Sequence, residues 1–165
     1  MGKAKVEKAN KLTSQDGNGR PSVRVEELAH RGKIAGALAS CEVFLEKSVV
    51  SLKDAPEEFD MCVWRAAAEL EYALFLFSLK NADADVTSKW KTKSYNRSDQ
   101  PAKLLKTVQT LVAKSKESTV SGNWLKAYKH AFVARHILLK IQREHARKKR
   151  VGLLRRRSSY SSSST

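Results

Sequence analysis

The run Lys89-Trp90-Lys91-Thr92-Lys93-Ser94-Tyr95-Asn96-Arg97 interleaves two aromatic rings with four cations. Exposed Trp and Tyr rings stack on unpaired bases while Lys and Arg hold phosphates. Lys89, Trp90, Lys91, Lys93, Tyr95 and Arg97 therefore form a candidate contact for single-stranded nucleic acid. The competing reading is that both rings fold back and cap an apolar body, because aromatics bury large areas. A second cationic group closes the chain: Arg147-Lys148-Lys149-Arg150, then Arg155-Arg156-Arg157. Such runs serve as nucleic-acid-binding tails and as nuclear or nucleolar import signals. Val151, Leu153 and Leu154 between the clusters leave open a basic amphipathic segment that lies on a membrane or a partner. Ser158 and Ser159 follow the arginines as in basophilic kinase sites. A phosphate on either would add about −1.5 to −2 of charge to the tail. The alternative is plain low-complexity sequence.

Catalytic patterns are missing. No serine sits in a G-x-S-x-G turn, no glycine-rich phosphate loop exists, and no C-x-x-C or histidine spacing suggests a metal. The expectation is a non-enzyme with no catalytic residue, metal or cofactor. His130 and His136 lie in a lysine-rich stretch and read as solvent or phosphate contacts. The closely spaced Glu57, Glu58 and Asp60 read as helix-start electrostatics. Cys41 and Cys62 fall within apolar helical patterns and read as buried thiols.

Charge decides the partner class. The chain carries 32 Lys and Arg against 17 Asp and Glu, net +15. Residues 1–21 hold +3, residues 22–53 hold +1, residues 54–80 hold −4, residues 81–103 hold +2, residues 104–140 hold +6 and residues 141–165 hold +7. A solvated helix face ordinarily mixes signs, since like charges at i,i+4 repel. Lys106, Lys114, Lys116, Lys126, Lys129 and Lys140 have almost no acid among them. A polyanion explains that pattern, because phosphate contacts release counterions. Lys126 and Lys129 join the candidate nucleic-acid residues, with RNA favoured over DNA. An acidic protein and an anionic membrane surface are the alternatives.

The elements that must position these residues are helical. Residues 1–21 are lysine-rich and turn-rich, read as a disordered basic arm without the apolar segment of a secretory signal. Leu28, Ala35, Leu38, Cys41, Leu45, Val49 and Leu52 recur at helical spacing over 22–53, with Gly32 and Gly36 marking a weak point. Asp54 and Pro56 announce a second helix, 57–80, whose apolar residues include Trp64, Phe75 and Leu76 and which reads as the most buried element. A polar stretch follows. Ser98 or Asp99 then caps a third helix over 100–116 with Pro101 in its first turn. After a loop over 117–122, Trp124, Leu125, Tyr128, Phe132 and Leu138 outline a fourth, 122–145. The expected core is Leu28, Leu38, Leu45, Val49, Phe59, Val63, Leu70, Leu74, Phe77, Leu105, Val108, Leu111, Leu125, Phe132 and Leu138. No stretch alternates with the period of a strand. The fold expected is an all-α bundle of four amphipathic helices over 22–145, with a serine-rich basic disordered tail over 146–165. No run is long and apolar enough to span a membrane. The setting expected is intracellular: nucleus or nucleolus if the basic tail is an import signal, otherwise cytoplasm.

Ala37 to Leu79, with its Phe44-Leu45 stripe, short break and Trp64-Arg65-Ala66-Ala67-Ala68 run leading into Ala73-Leu74, resembles the first two helices of HEPN-type domains. The resemblance implies a helical fold and, for the ribonuclease members, an Arg, four to six intervening residues and then a His near the domain's end. Here the only such pair is Arg24–His30, ahead of the resembling segment. In layout, a small helical domain with a basic tail is also similar to helical cofactors of nuclear RNA processing.

Overall fold

The computed structural model describes residues 23–80, 90 and 100–161, and the side chains of 24–80, 90 and 100–152. Four helices account for almost all of them: α1 Val23–Asp54, α2 Pro56–Lys80, α3 Pro101–Val120 and α4 Trp124–Ser161. No strand occurs among the described residues. The 1–21 arm lies outside them.

The helices form a square. α1 packs on α2 and α3, and α4 packs on α3 and α2. Only Ala55 separates α1 from α2, so the two run antiparallel. His30 near the start of α1 accordingly meets the Leu76 carbonyl near the end of α2, at 2.9 Å. α4 runs antiparallel to α2, with Asp60 beside Lys149 and Phe77 beside Trp124. α3 and α4 form the second hairpin. Since α2 and α3 both end beside the start of α4, residues 81–100 must connect opposite ends of the bundle, which explains so long a connection.

The core fills from all four helices. Ile34, Leu38, Leu45, Phe59, Leu70, Phe77, Leu105, Val108, Val112, Ile137 and Leu138 are almost fully buried. Serines occupy part of α1's inner face. Ser48 Oγ donates to the Leu45 carbonyl at 2.7 Å and Ser51 Oγ to the Lys47 carbonyl at 3.0 Å, so neither hydroxyl is left unpaired in the interior. Where α3 meets α4, Ser115 Oγ donates across the interface to the Ala127 carbonyl at 2.8 Å. Small residues there let the two backbones approach closely.

Several expectations need correction. Leu28, Val49 and Leu125 are 60%, 42% and 48% exposed, not core. In α1 the inward face passes instead through Ile34, Ala37, Cys41 and Ser48. α1 runs unbroken through Gly32 and Gly36, and neither glycine has a neighbour within 4 Å of where a Cβ would stand. α3 begins after N-cap Gln100, with Pro101 in its first turn, and continues to Val120 through part of the expected loop. α4 continues past 145 to Ser161. Ala, Arg and Lys are good helix formers, and nothing in 143–151 interrupts the backbone.

Candidate nucleic-acid interface

The turn that launches α4 is built from the chain's own capping chemistry. Ser121 N–H donates to the Glu117 carbonyl, Gly122 N–H to Thr119 and Asn123 N–H to Ser118. This closes α3 in a Schellman arrangement. Gly122 takes φ +75°, a left-handed conformation that an L side chain adopts only under strain. Asn123 then caps α4, its Oδ1 accepting the Lys126 N–H at 3.2 Å. The register of α4 is thereby set from its first residue.

That register puts one row of cations on the solvent side. Ala127, Ala131, Ala134, Leu138 and Ile141 face the core. On the side away from the core lie Lys126 and Lys129 at one end and Arg143, Arg147 and Arg150 at the other; the turns between them hold Val133, which packs against the core, and the half-exposed His136 and Lys140. At about 1.5 Å per residue the row is roughly 36 Å long. Lys126, Lys129, Arg143, Arg147 and Arg150 are exposed, and none of the five has a carboxylate within ion-pair distance among the described residues.

Other basic side chains of this half meet acids of the bundle. Lys149 and His145 both meet Asp60 of α2, Arg135 meets Glu71, and Lys116 meets Glu42 of α1 at 2.6 Å. Asp60 accordingly pushes up the pKa of Lys149 through their hydrogen bond. The acidic excess of α2 is thus partly an internal counter-charge to α4. Lys149, expected among the nucleic-acid contacts, is exposed like Arg147, Lys148 and Arg150 but pairs with Asp60 of α2.

Trp90 does not stand free for base stacking. It is partly buried, its ring edge-on to Tyr128 and Phe132 with centroids 5.2 and 5.3 Å away. The capping alternative describes its position. Packing the apolar area of the indole against Tyr128 and Phe132 outweighs its solvation. Lys89, Lys91, Lys93, Tyr95 and Arg97 lie outside the described residues. Arg155, Arg156, Arg157, Ser158 and Ser159 fall on the α4 backbone, and their side chains lie outside as well.

Arg24 and His30 do not come together as a catalytic pair. Arg24 is exposed, and the His30 ring is held by the Leu76 carbonyl and lies 6.4 Å from that of Trp124. Cys41 and Cys62 are buried free thiols. Burial, with help from Glu42 and Glu69, pushes the Cys41 thiol up to about 12. No three His, Cys, Asp or Glu side chains among the described residues cluster as metal ligands, and none of their helices is long and apolar enough to cross a membrane.

A second surface is not among the sequence expectations. Met61, Trp64, Tyr72, Phe75 and Leu79 of α2 are 48%, 65%, 46%, 58% and 61% exposed. With Ala68 they form an apolar stripe along the solvent face of a helix whose other face is core. Their spacing of three or four residues is a visible signal, but an all-round apolar helix reads as a buried one. No family model matches the chain, nor does any curated protein or solved structure.

Proposed function

We propose that this chain is a non-enzymatic nucleic-acid-binding protein, with RNA favoured over DNA, that lays the outer face of α4 along a phosphate backbone. The observation carrying this reading is the row from Lys126 to Arg150, whose exposed members lack carboxylate partners among the described residues. Their mutual repulsion at i,i+3 and i,i+4 weakens the free helix, and a polyanion removes that cost. A membrane surface fits the row poorly. A helix lying in a lipid interface needs an exposed apolar face, and the apolar face of α4 is occupied by the core. Arg147-Lys148-Lys149-Arg150 would serve in addition as a nuclear import signal.

The test is affinity for single-stranded and duplex RNA and for matched DNA between 50 and 200 mM salt. A backbone grip of five or six phosphates gives a log–log slope of roughly −4 on single strands, at about −0.7 per phosphate. A flat salt dependence would end the reading.

A second reading, an adaptor that docks a protein, is favoured by the exposed stripe of α2. The N-terminal end of that stripe carries the exposed Glu57 and Glu58. The partner it suits is apolar with cationic edges, not the acidic one expected from net charge. Capture of RNA-free protein partners that Trp64→Ser abolishes would support it.

A further inference from the structure

Counted from Ala68, the exposed stripe of α2 reads the same in both directions. Met61 and Phe75 stand seven residues away on either side, and Trp64 and Tyr72 stand four. All five residues are exposed, while the opposite side of the helix is core. The two ends differ in charge. Glu57 and Glu58 precede the stripe and Lys80 follows it, all three exposed and none in an ion pair with a described residue. We infer that the stripe docks a second copy of this chain, the two α2 helices packing antiparallel about a two-fold axis that passes between their Ala68 residues. The inference rests on the stripe being a protein-docking face, and it names the partner.

A surface that docks its own copy about a two-fold must be self-complementary. Antiparallel pairing meets that condition. Level with Met61 of one copy lies Phe75 of the other, and level with Trp64 lies Tyr72. Ala68 meets Ala68 on the axis, and so small a pair lets the backbones approach to about 8 Å. At each end Lys80 of one copy comes within a helical turn of the level of Glu57 and Glu58 of the other. Parallel pairing would instead set those acids against themselves. α1 and α4 flank α2 on opposite sides, and the two-fold keeps each on its own side. Phe75 lies one turn on from Glu71, which pairs with α4 through Arg135, so Phe75 leans to the α4 side. There, level with Met61, the other copy has an open groove of about 470 Å³ lined by Asp60, Met61, Trp64, Gln142, Ala146 and Lys149. The α4 row looks elsewhere and stays uncovered. Size fits a weak pair. Trp64, Tyr72 and Phe75 are each about half exposed, and with Met61 and Leu79 they hold roughly 500 Å² per copy. The pair would bury about 1,000 Å², the low end for a specific interface. The chain's own 1–21 arm is a poorer cover, since its large apolar residues are only Met1, Val6 and Leu12.

The experiment is analytical ultracentrifugation of the full chain, freed of RNA, from about 1 to 300 μM, a range suited to micromolar affinity. A monomer should pass into a dimer and no larger species, because a two-fold contact closes on itself. Trp64→Ser should weaken the association about tenfold or more. At the lowest concentration, where the chain is monomeric, its helicity and melting temperature should match the parent's. Glu57→Lys with Glu58→Lys should weaken pairing, and Lys80→Glu should do so separately. An equimolar mixture of these two variants should pair at least as tightly as the parent, since every end contact is again acid to base. A chain that stays monomeric over the whole range overturns the inference. If it then still captures another protein in a way that Trp64→Ser abolishes, the docking reading stands without it; if it captures none, both fall. A dimer that Trp64→Ser leaves intact overturns pairing through α2. Charge variants whose mixture fails to recover overturn the antiparallel arrangement.

Discussion

α2 and α4 lie side by side, each with one face in the same core, and their outer faces could hardly differ more. α2 shows solvent a row of Met61, Trp64, Tyr72, Phe75 and Leu79 edged by acids. α4 shows it Lys126, Lys129, Arg143, Arg147 and Arg150. Where the two touch, Asp60 and Glu71 meet Lys149, His145 and Arg135. The difference teaches that net charge is a poor guide to this molecule. Some of the 32 Lys and Arg side chains are paired with acids across the α2–α4 seam, and the part with consequences is the set left exposed on one face of one helix. On the proposed function, two chemically opposite faces on neighbouring helices would let one small bundle carry a nucleic acid and a protein at once.

The largest effect should come from reversing the α4 face. Lys129→Glu with Arg143→Glu and Arg147→Glu should weaken RNA binding roughly a hundredfold or more. On a single strand the same change should flatten the salt slope by about 0.7 for each phosphate no longer neutralised. Thermal stability should stay near that of the parent, since the sites are exposed. Next is Trp90→Ala. Trp90 packs on Tyr128 and Phe132, so its truncation should cost about 2 kcal/mol of stability, below the 3–5 of a fully buried aromatic. On a chain of this size that lowers the melting temperature by roughly 5–8 °C. RNA affinity of the folded protein should not change. A normal melting temperature with weakened single-strand affinity would return Trp90 to the interface and blur the contrast between the two faces.

Smaller effects come from single titrating groups. The Cys41 thiol is raised to about 12 in the folded chain against 9.0 ordinarily. The unfolded chain ionises first, so stability should begin to fall as pH passes 9 and go on falling toward 12. Cys41→Ala should flatten that alkaline decline, and in the parent Cys41 should resist alkylation until the bundle opens. For His130 the sign is opposite. Its folded pKa is lowered from 6.5, so its contribution to stability is present above 6.5 and lost as pH falls through the folded value. Denaturant midpoints from pH 7.5 to 5 in phosphate-free buffer, with and without His130→Gln, read this out. The smallest effect on stability should follow Trp64→Ser on the α2 stripe, within about 0.5 kcal/mol, with RNA affinity untouched. A large drop in either would show that the stripe is not a free surface.

Much of this fold is legible in the residues because helix signals are local. Pro56 and Pro101, the long polar stretch between α2 and α3, and the apolar spacing of Phe59, Val63, Leu70 and Phe77 give the elements almost directly. The errors arise where the inward face is not made of large apolar residues. Ser48 and Ser51 of α1 are buried because their hydroxyls bond their own helix, so a hydrophobic count drifts onto Leu28 and Val49. α2 is misread for the opposite reason: apolar residues fall on both faces, and sequence alone does not say which one the bundle covers. At the interface, the lysine excess of α3 and α4 is plain. Their sorting into an exposed row and cross-helix pairs depends on register. The Gly122–Asn123 turn sets that register through hydrogen bonds that no spacing rule displays. Trp90 sits between the cases, since a cation-rich stretch of sequence gives no sign that its aromatic has found a packed neighbour.

The central claim is that the outer face of α4 touches nucleic acid. Lysine footprinting measures this directly: the full chain is acetylated with and without a saturating RNA oligonucleotide, and each site is quantified by mass spectrometry. Strong protection of Lys126 and Lys129 is expected, with no protection of Lys33, Lys53 and Lys80 on α1 and α2. Unchanged reactivity of Lys126 and Lys129 in the presence of bound RNA, or protection confined to α1 and α2, would contradict it.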